Sequence, residues 1–492
     1  MASNKEVFFE HMHGQEFQYF GYSELGMRTD RISQVSVDDI SIEGQVSRHY
    51  SFKVPIIGAA MNSISEDSMA IAMGELGAGA IIHHANTPKE QKEMVRNVYY
   101  HLNGIIDSPL LARDDETVAD VLSRLDQKGK TFRTLPVTDA DGKCVGLMDE
   151  PSFRLFDSQT KVSEAMHPFG TFPTAEAGIT PEEVYTKMRD EKLGRLLLVD
   201  SDRSVSGLCL DKDIGRMARI RSDPQHFNLT PDGHLITLAS IPTLVDEAIE
   251  RVELMHKYLN IAVIDTSHGN HIDAIDTLKA VEKEFPFDRF GIDFLAGNIS
   301  TEETGIEVAK YDPDGSQVGQ GPGEICISSD RLGIGTPQAS AVYEVTKGVH
   351  SIDPEIPIIA DGGIRDSADT VKALALGATA VKVGNLIAGT DETPVKSKRD
   401  ELGNPFSEYW GMGSEDAQIA FAAARARYGN YSPLNRIFIE GFKKRVPLKG
   451  PVSEVIEDHV LGVKLSMMSM GMSNIAELQE HVSFMRGNNR KN

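Results

Sequence analysis

Apolar residues recur along the chain in short, nearly continuous runs, each followed by a stretch of helical periodicity. Eight runs stand out: VPIIGAAM (54–61), AGAIIHHAN (78–86), HLITLAS (234–240), IAVIDTSHGN (261–270), IDFLAGNIS (292–300), GSQVGQGPG (315–323), IPIIADGGI (356–364) and ATAVKVGN (378–385). A strand that is apolar on both faces has no solvent side, so these runs predict parallel strands covered by helices. Eight of them predict a closed (β/α)₈ TIM barrel, a fold of roughly 250 residues or more. Polar residues and glycines crowd where the runs stop, and the C-terminal strand ends of such a barrel carry its active site. Those ends are Met61, Asp265, Ser267, Asn298, the GQGPGEIC loop, Asp361-Gly362-Gly363 and Gly384-Asn385.

The second and third runs are separated by a long insertion, 105–220, that contains two similar units, 116–153 and 179–214. In each, a helix is followed by a strand ending in Val-Thr-Asp or Val-Asp-Ser, an Asp-containing turn and a second strand. This repeat resembles a tandem pair of cystathionine-β-synthase (CBS) modules, which implies a regulatory domain taking ATP or GTP. The expected organisation is a discontinuous barrel domain, 1–104 and 221–492, with the CBS-type pair at 105–220. A Gly-rich and polar stretch, 408–442, follows the eighth run; its ends lack periodicity, which predicts a long active-site flap, while its Ala-rich middle also reads as a helix.

With 492 residues the chain exceeds one compact core, in keeping with two folding units. Hydrophobic residues at 40% and charged residues at 25% describe a globular protein. A net charge of −23 argues against a nucleic-acid partner, though backbone N–H groups can still hold an anionic ligand. No apolar run approaches the length of a membrane span, and the first residues show no secretory pattern. The three cysteines, Cys144, Cys209 and Cys326, lack metal-like spacing and suit a reducing compartment. These features predict a cytoplasmic protein with neither membrane nor nucleic-acid partner.

Candidate chemistry concentrates in Gly319–Cys326. Three glycines and a proline let the backbone approach a ligand and then present one thiol. Cys326, beyond a strand end, is placed as a nucleophile, whereas Cys144 and Cys209 fall within strands of the insertion and read as core. His83, His84 and His268 have no metal-like spacing; the first two, adjacent on an expected strand, point to opposite faces.

Six motifs in order, GPGEIC (321–326), GIGTPQ (333–338), ADGGIR (360–365), AGTDETP (388–394), EYWGMGS (408–414) and EGFKKRVPLKG (440–450), resemble the inosine-monophosphate dehydrogenase and GMP reductase family, on its dehydrogenase side. The resemblance runs from about Val54 to about Glu480, and an inserted CBS pair after the second strand is similar too. It implies oxidation of inosine 5′-monophosphate (IMP) by NAD through an adduct on Cys326, in guanine-nucleotide synthesis. Ser328 and the pair Arg427-Tyr428 would complete the chemistry, the latter as the base for hydrolysis. Asp361 would hold the ribose; Gly363, Gly384, Asn385 and Tyr409 the phosphate; Met61, Gly411, Met412, Gly413 and Glu440 the rest of the nucleotide. Asp265, Ser267, Asn298, Gly319 and Gly321 would line the NAD side. Carbonyls of Gly321, Gly323 and Cys326 would face a potassium ion, and a homotetramer or octamer is implied.

Some positions depart from the family pattern. Ala59 stands for a serine, Asn62 for an aspartate, Ser328 for a threonine, and Gln317 occupies a usually basic place. Glu324 replaces a serine that donates to the phosphate, and a carboxylate beside a dianion is repelled. The closing SFMRGNNRKN lacks the tail that completes the cation site. Two alternatives follow. One is an NADPH-dependent GMP reductase, against which stand the DTSHG and GTDETP stretches and Arg427-Tyr428. The other is a nucleotide-binding regulator without turnover, against which stand Cys326, Asp361 and Glu440.

Overall fold

The computed structural model describes residues 4–13, 19–31, 33–102, 104–106, 109–127, 133–211, 215, 218, 222–420 and 439–487. The chain divides into two compact units, one of Met1–Tyr99, Gln225–Thr230 and Leu235–Asn492, the other of Tyr100–Pro224 and Pro231–His234.

In the first unit the eight apolar runs form β1 (Ile56–Gly58), β2 (Gly79–Ile82), β3 (Leu238–Ile241), β4 (Ile261–Asp265), β5 (Asp293–Ile299), β6 (Gly315–Val318), β7 (Ile358–Asp361) and β8 (Ala380–Val383). They close into one barrel in which each strand pairs in parallel with its neighbours and β8 returns to β1. The protein is thus a (β/α)₈ barrel. The strands are shorter than the apolar runs, because each run also includes the turn that leaves the barrel. Ile57, Ile81, Leu238, Ile261, Val263, Leu295, Ile359 and Ala380 belong to its buried core. With both faces covered, near-continuous hydrophobicity is what burial requires of these strands.

A helix follows each strand: α1 (Asp67–Gly74), α2 (Pro88–Tyr99), α3 (Val245–Met255), α4 (Ile272–Glu284), α5 (Glu302–Ala309), α6 (Gln338–His350), α7 (Ser367–Ala375) and α8 (Val452–Met470). Side-chain caps start several of them. Thr301 accepts from the Thr304 N–H at the head of α5, and Asp366 from the Asp369 N–H at the head of α7. Such caps satisfy donors that a helix start leaves open.

The flap stretch differs from the irregular start expected of it. Pro405–Trp410 is a strand, paired antiparallel with Lys443–Val446 so that Tyr409 faces Lys444. Its register is set across some thirty residues, which local periodicity does not reveal. Glu415–Ala420 is helical, and 421–438, which includes Arg427 and Tyr428, lies outside the described residues.

The second unit holds two four-stranded sheets. One contains Ala112–Arg113, Leu135–Thr138, Cys144–Met148 and His167–Pro168; the other Ile105–Ile106, Thr174–Glu176, Arg195–Val199 and Val205–Leu210. Each sheet has its own core, around Val121, Leu135 and Met148 in one and Val184, Leu196 and Cys209 in the other. Cys144 and Cys209 are fully buried in these strands.

Candidate active site

At the C-terminal ends of the barrel strands lies a cleft of about 520 Å³. Around it stand Met61 after β1, Asp265 and Ser267 from the end of β4, Asn298 on β5 and Asp361 on β7. The loop after β6 brings Gly319, Gly321, Gly323, Cys326 and Ser328; Gly384, Tyr409, Gly411, Met412, Gly413 and Glu440 complete the walls. Gly363 and Asn385 line an adjoining cleft of about 320 Å³ that shares Gly323, Gly384 and Tyr409 with the first. Of the residues predicted for the site, all but Arg427 and Tyr428 gather here.

The loop 319–326 works through its glycines. Gly319 has φ +144°, and a Cβ there would lie 2.3 Å from the Asp361 carbonyl oxygen. A side chain would push the loop off β7, so glycine is required for this close approach. Beyond the loop, residues 325–327 run beside 440–442: the Ile327 N–H donates to the Glu440 carbonyl at 2.9 Å and the Phe442 N–H to that of Ile325 at 3.1 Å. This pairing delivers Glu440 to the thiol. Cys326 Sγ is 3.2 Å from Ser328 Oγ, which donates to Glu440 Oε2 at 2.8 Å. Glu440 is buried, whereas Cys326 is partly exposed to the cleft. A thiol, a hydroxyl and a carboxylate in series form a path along which a proton can leave or return.

The opposite wall carries a charge network that sequence reasoning missed. Lys382, on β8 and 2% exposed, places Nζ 2.7 Å from Asp361 Oδ2 and 3.6 Å from Asp265 Oδ1. It also donates to Gln317 Oε1 at 2.6 Å. The basic group expected on β6, where Gln317 stands, is thus supplied by β8 at the same place. One signal was available: a lone lysine within ATAVKVGN, since lysine is almost never fully buried unless paired. Asn298 Nδ2 donates to Asp361 Oδ2 at 2.6 Å and to the Gly319 carbonyl at 2.7 Å. Gln338 Nε2 reaches the Val318 and Asp361 carbonyls at 2.8 and 3.2 Å. Asp361 is therefore held from several sides with its carboxylate at the cleft.

Burial pushes the Tyr409 phenol well up, with Glu324, Asp361 and Cys326 adding to the effect, so it is a neutral donor at neutral pH. Asn62 accepts from the Trp410 indole at 3.0 Å and so braces the flap strand. His83 and His84 lie just past the end of β2; His84 Nδ1 is 2.9 Å from Ser240 Oγ and His83 Nε2 3.4 Å from Glu66.

A dinucleotide cofactor fits the groove beside the thiol. Asn298 Oδ1 is a buried acceptor without a hydrogen-bond partner, as a ligand amide would need. For a potassium ion the carbonyls of Gly321, Gly323 and Cys326 would be the ligands; that of Gly323 accepts from the Cys326 N–H at 3.1 Å and keeps a second lone pair.

The family model described as IMP dehydrogenase / GMP reductase domain matches residues 20–490. The chain is 33% identical over 460 residues to inosine-5′-monophosphate dehydrogenase of Aquifex aeolicus, covering 92% of this chain and 90% of that one. The same enzyme of Schizosaccharomyces pombe is 32% identical, with 90% and 84% covered. Among solved structures, GMP reductase from Trypanosoma brucei in complex with guanosine 5′-monophosphate aligns with a TM-score of 0.81 at 27% identity, covering 97% of both chains. The same reductase in complex with guanosine 5′-triphosphate aligns with a TM-score of 0.75 at 25% identity, covering 97% of this chain and 100% of that one. The chain belongs to the IMP dehydrogenase / GMP reductase family and is an oxidoreductase.

Proposed function

We propose that the protein oxidises IMP to xanthosine 5′-monophosphate with NAD, through a covalent adduct on Cys326. The observation that carries this reading is the series Cys326, Ser328 and Glu440 at the mouth of the barrel. Asp361 takes the ribose hydroxyls, and the glycine backbone at 363 and 384 with the Tyr409 phenol takes the phosphate, so that C2 of the purine meets the thiol. Sγ bonds to C2 as its proton passes to Ser328 and Glu440, and the hydride on C2 then departs. The bound nicotinamide supplies the acceptor for that hydride. Water next adds to C2, the C2–S bond breaks, and the thiol recovers a proton. Splitting one oxidation into attack and hydrolysis lowers each barrier. Arg427 and Tyr428 are assigned to activating that water. Asp265, Ser267 and Asn298 line the cofactor side. No step uses a cation.

The inserted unit is read as the CBS-type pair that binds ATP or GTP, supported by its two similar halves and by the GTP complex of the related reductase. Among the described residues no helix is long and apolar enough to cross a membrane. A cytoplasmic homotetramer or octamer completes the reading.

A reductive reading, GMP to IMP with NADPH, is favoured by the fold match to the GMP-bound reductase. Mixing the protein with IMP and NAD⁺, and separately with GMP and NADPH, and following nicotinamide absorbance decides between them. Turnover with IMP is expected, and Cys326→Ala is expected to lose it by on the order of 10⁴-fold or more. Activity only with GMP would assign the reductase, and nucleotide binding without either turnover would assign a regulator.

A further inference from the structure

We infer that Glu324 and Lys444 act as a matched charge pair that sets the electrostatics of the phosphate subsite, Lys444 cancelling the carboxylate so that a nucleotide 5′-phosphate can bind beside it. The inference rests on the nucleotide reading above.

Glu324 borders the cleft that also holds Gly363, Gly384, Asn385 and Tyr409. In the glycine turn there Gly362 and Gly363 have φ of +81° and +75°; the Gly362 N–H is taken by the Lys382 carbonyl at 3.1 Å, so Gly363 is the donor the turn offers, and a Cβ on Gly384 would lie 2.6 Å from the Tyr409 hydroxyl. A backbone N–H presented by such a turn favours an anion. A bare carboxylate in the same cleft opposes one. Lys444 removes that opposition. It stands opposite Tyr409 in the antiparallel ribbon, and directly opposed residues project to the same face. Tyr409 is buried on the cleft side, and the Lys444 ammonium is ion-paired with Glu324.

Lys382 also lines this cleft but is paired with Asp361, and Lys449 nearby is already committed. Its Nζ donates to the Asn385 and Leu386 carbonyls, each at 2.8 Å. Burial lowers its pKa, Glu324 opposes that shift and Lys444 adds to it, so all three charges interact. The side chains of Lys444 and Glu324 are 40% and 38% exposed. The pair is therefore not locked by burial.

The test measures IMP affinity by calorimetry for the native chain, Lys444→Met, Glu324→Gln and the double variant; GMP, with the same phosphate, is run alongside. Lys444→Met, which strips the carboxylate of its partner, is expected to weaken binding by about tenfold or more. Glu324→Gln is expected to bind at least as tightly as the native chain. The double variant is expected to return to within about threefold of it. A merely structural role for Lys444 would not be rescued by removing Glu324. Loss below tenfold in Lys444→Met, or a double variant as weak as that single one, overturns the inference. If the native chain binds neither IMP nor GMP, the nucleotide reading itself fails and the inference with it.

Discussion

At the mouth of the barrel Lys382 sits 2.7 Å from Asp361 and 3.6 Å from Asp265. At the opposite end, where the strands begin, Arg48 reaches Asp312 at 2.6 Å, Asp353 at 3.0 Å and Asp314 at 3.3 Å, while His49 pairs with Asp293 at 2.7 Å. The ingredients are alike and the arrangements are not. At the mouth the lysine is buried and the Asp361 carboxylate borders an open cleft, so charge is aimed at a ligand. At the closed end Asp293, Asp312, Asp314, Asp353 and Glu282 outnumber their cations, and bound protons make up part of the difference. Burial, helped by neighbouring carboxylates, pushes Asp314 up to about 6 and Glu282 up to about 8. His49, Asp293 and Asp314 lie close enough together for a metal ion, but Arg48 already occupies the side of Asp314. Charge at one end serves chemistry, and at the other it ties strand starts together.

Four substitutions sharpen or break this contrast. Lys382→Met leaves Asp361 and Asp265 facing each other without the ammonium, and is expected to destabilise the chain by about 3–5 kcal/mol in denaturant unfolding. A loss near zero would mean that the network at the mouth is no more than a surface pair. Ser328→Ala breaks the link from thiol to Glu440, and turnover is expected to fall about 10²-fold while Ser328→Thr retains it. Arg48→Met is expected to cost about 2 kcal/mol of stability with the steady-state parameters unmoved; a changed turnover would mean that the two ends communicate.

The smallest effect expected is a pH effect. Glu282 keeps its proton to about 8 in the folded chain against an ordinary 4.5, so between these values the folded state holds more protons than the unfolded one. Stability from this group is therefore full below about 4.5 and is lost as pH rises toward 8. Glu282→Gln is expected to raise the melting temperature at pH 8 by about 2 °C and to change it little at pH 5. Equal shifts at both pH values would remove the protonation account.

Much of the site was legible in the chain because a parallel barrel converts strand order into position. Asp265, Asn298, Asp361 and Gly384 could be read off as strand ends, and Cys326 as the thiol of a glycine-rich loop. Gln338, Lys382 and Lys444 could not, for each acts on residues remote in sequence. Gln338 supports a β7 carbonyl from the preceding helix, α6. Lys382 takes over the charge that β6 lacks at Gln317. Lys444 meets Glu324 only because a ribbon folds back over the mouth. The insertion's strands were visible in its repeat, but the pairing of Ile105–Ile106 with Val205–Leu210 was not, since it joins the start of the unit to its far end.

The order of apolar runs, the glycines and the lone loop cysteine determined by themselves that a barrel would form and where its mouth would open. Hydrophobic burial follows composition along a strand, and glycine's freedom belongs to the residue alone. Which charge meets which carboxylate was decided only in three dimensions. Electrostatic partners depend on separation and burial, and barrel closure brings β4, β7 and β8 to the same few ångströms around one buried lysine.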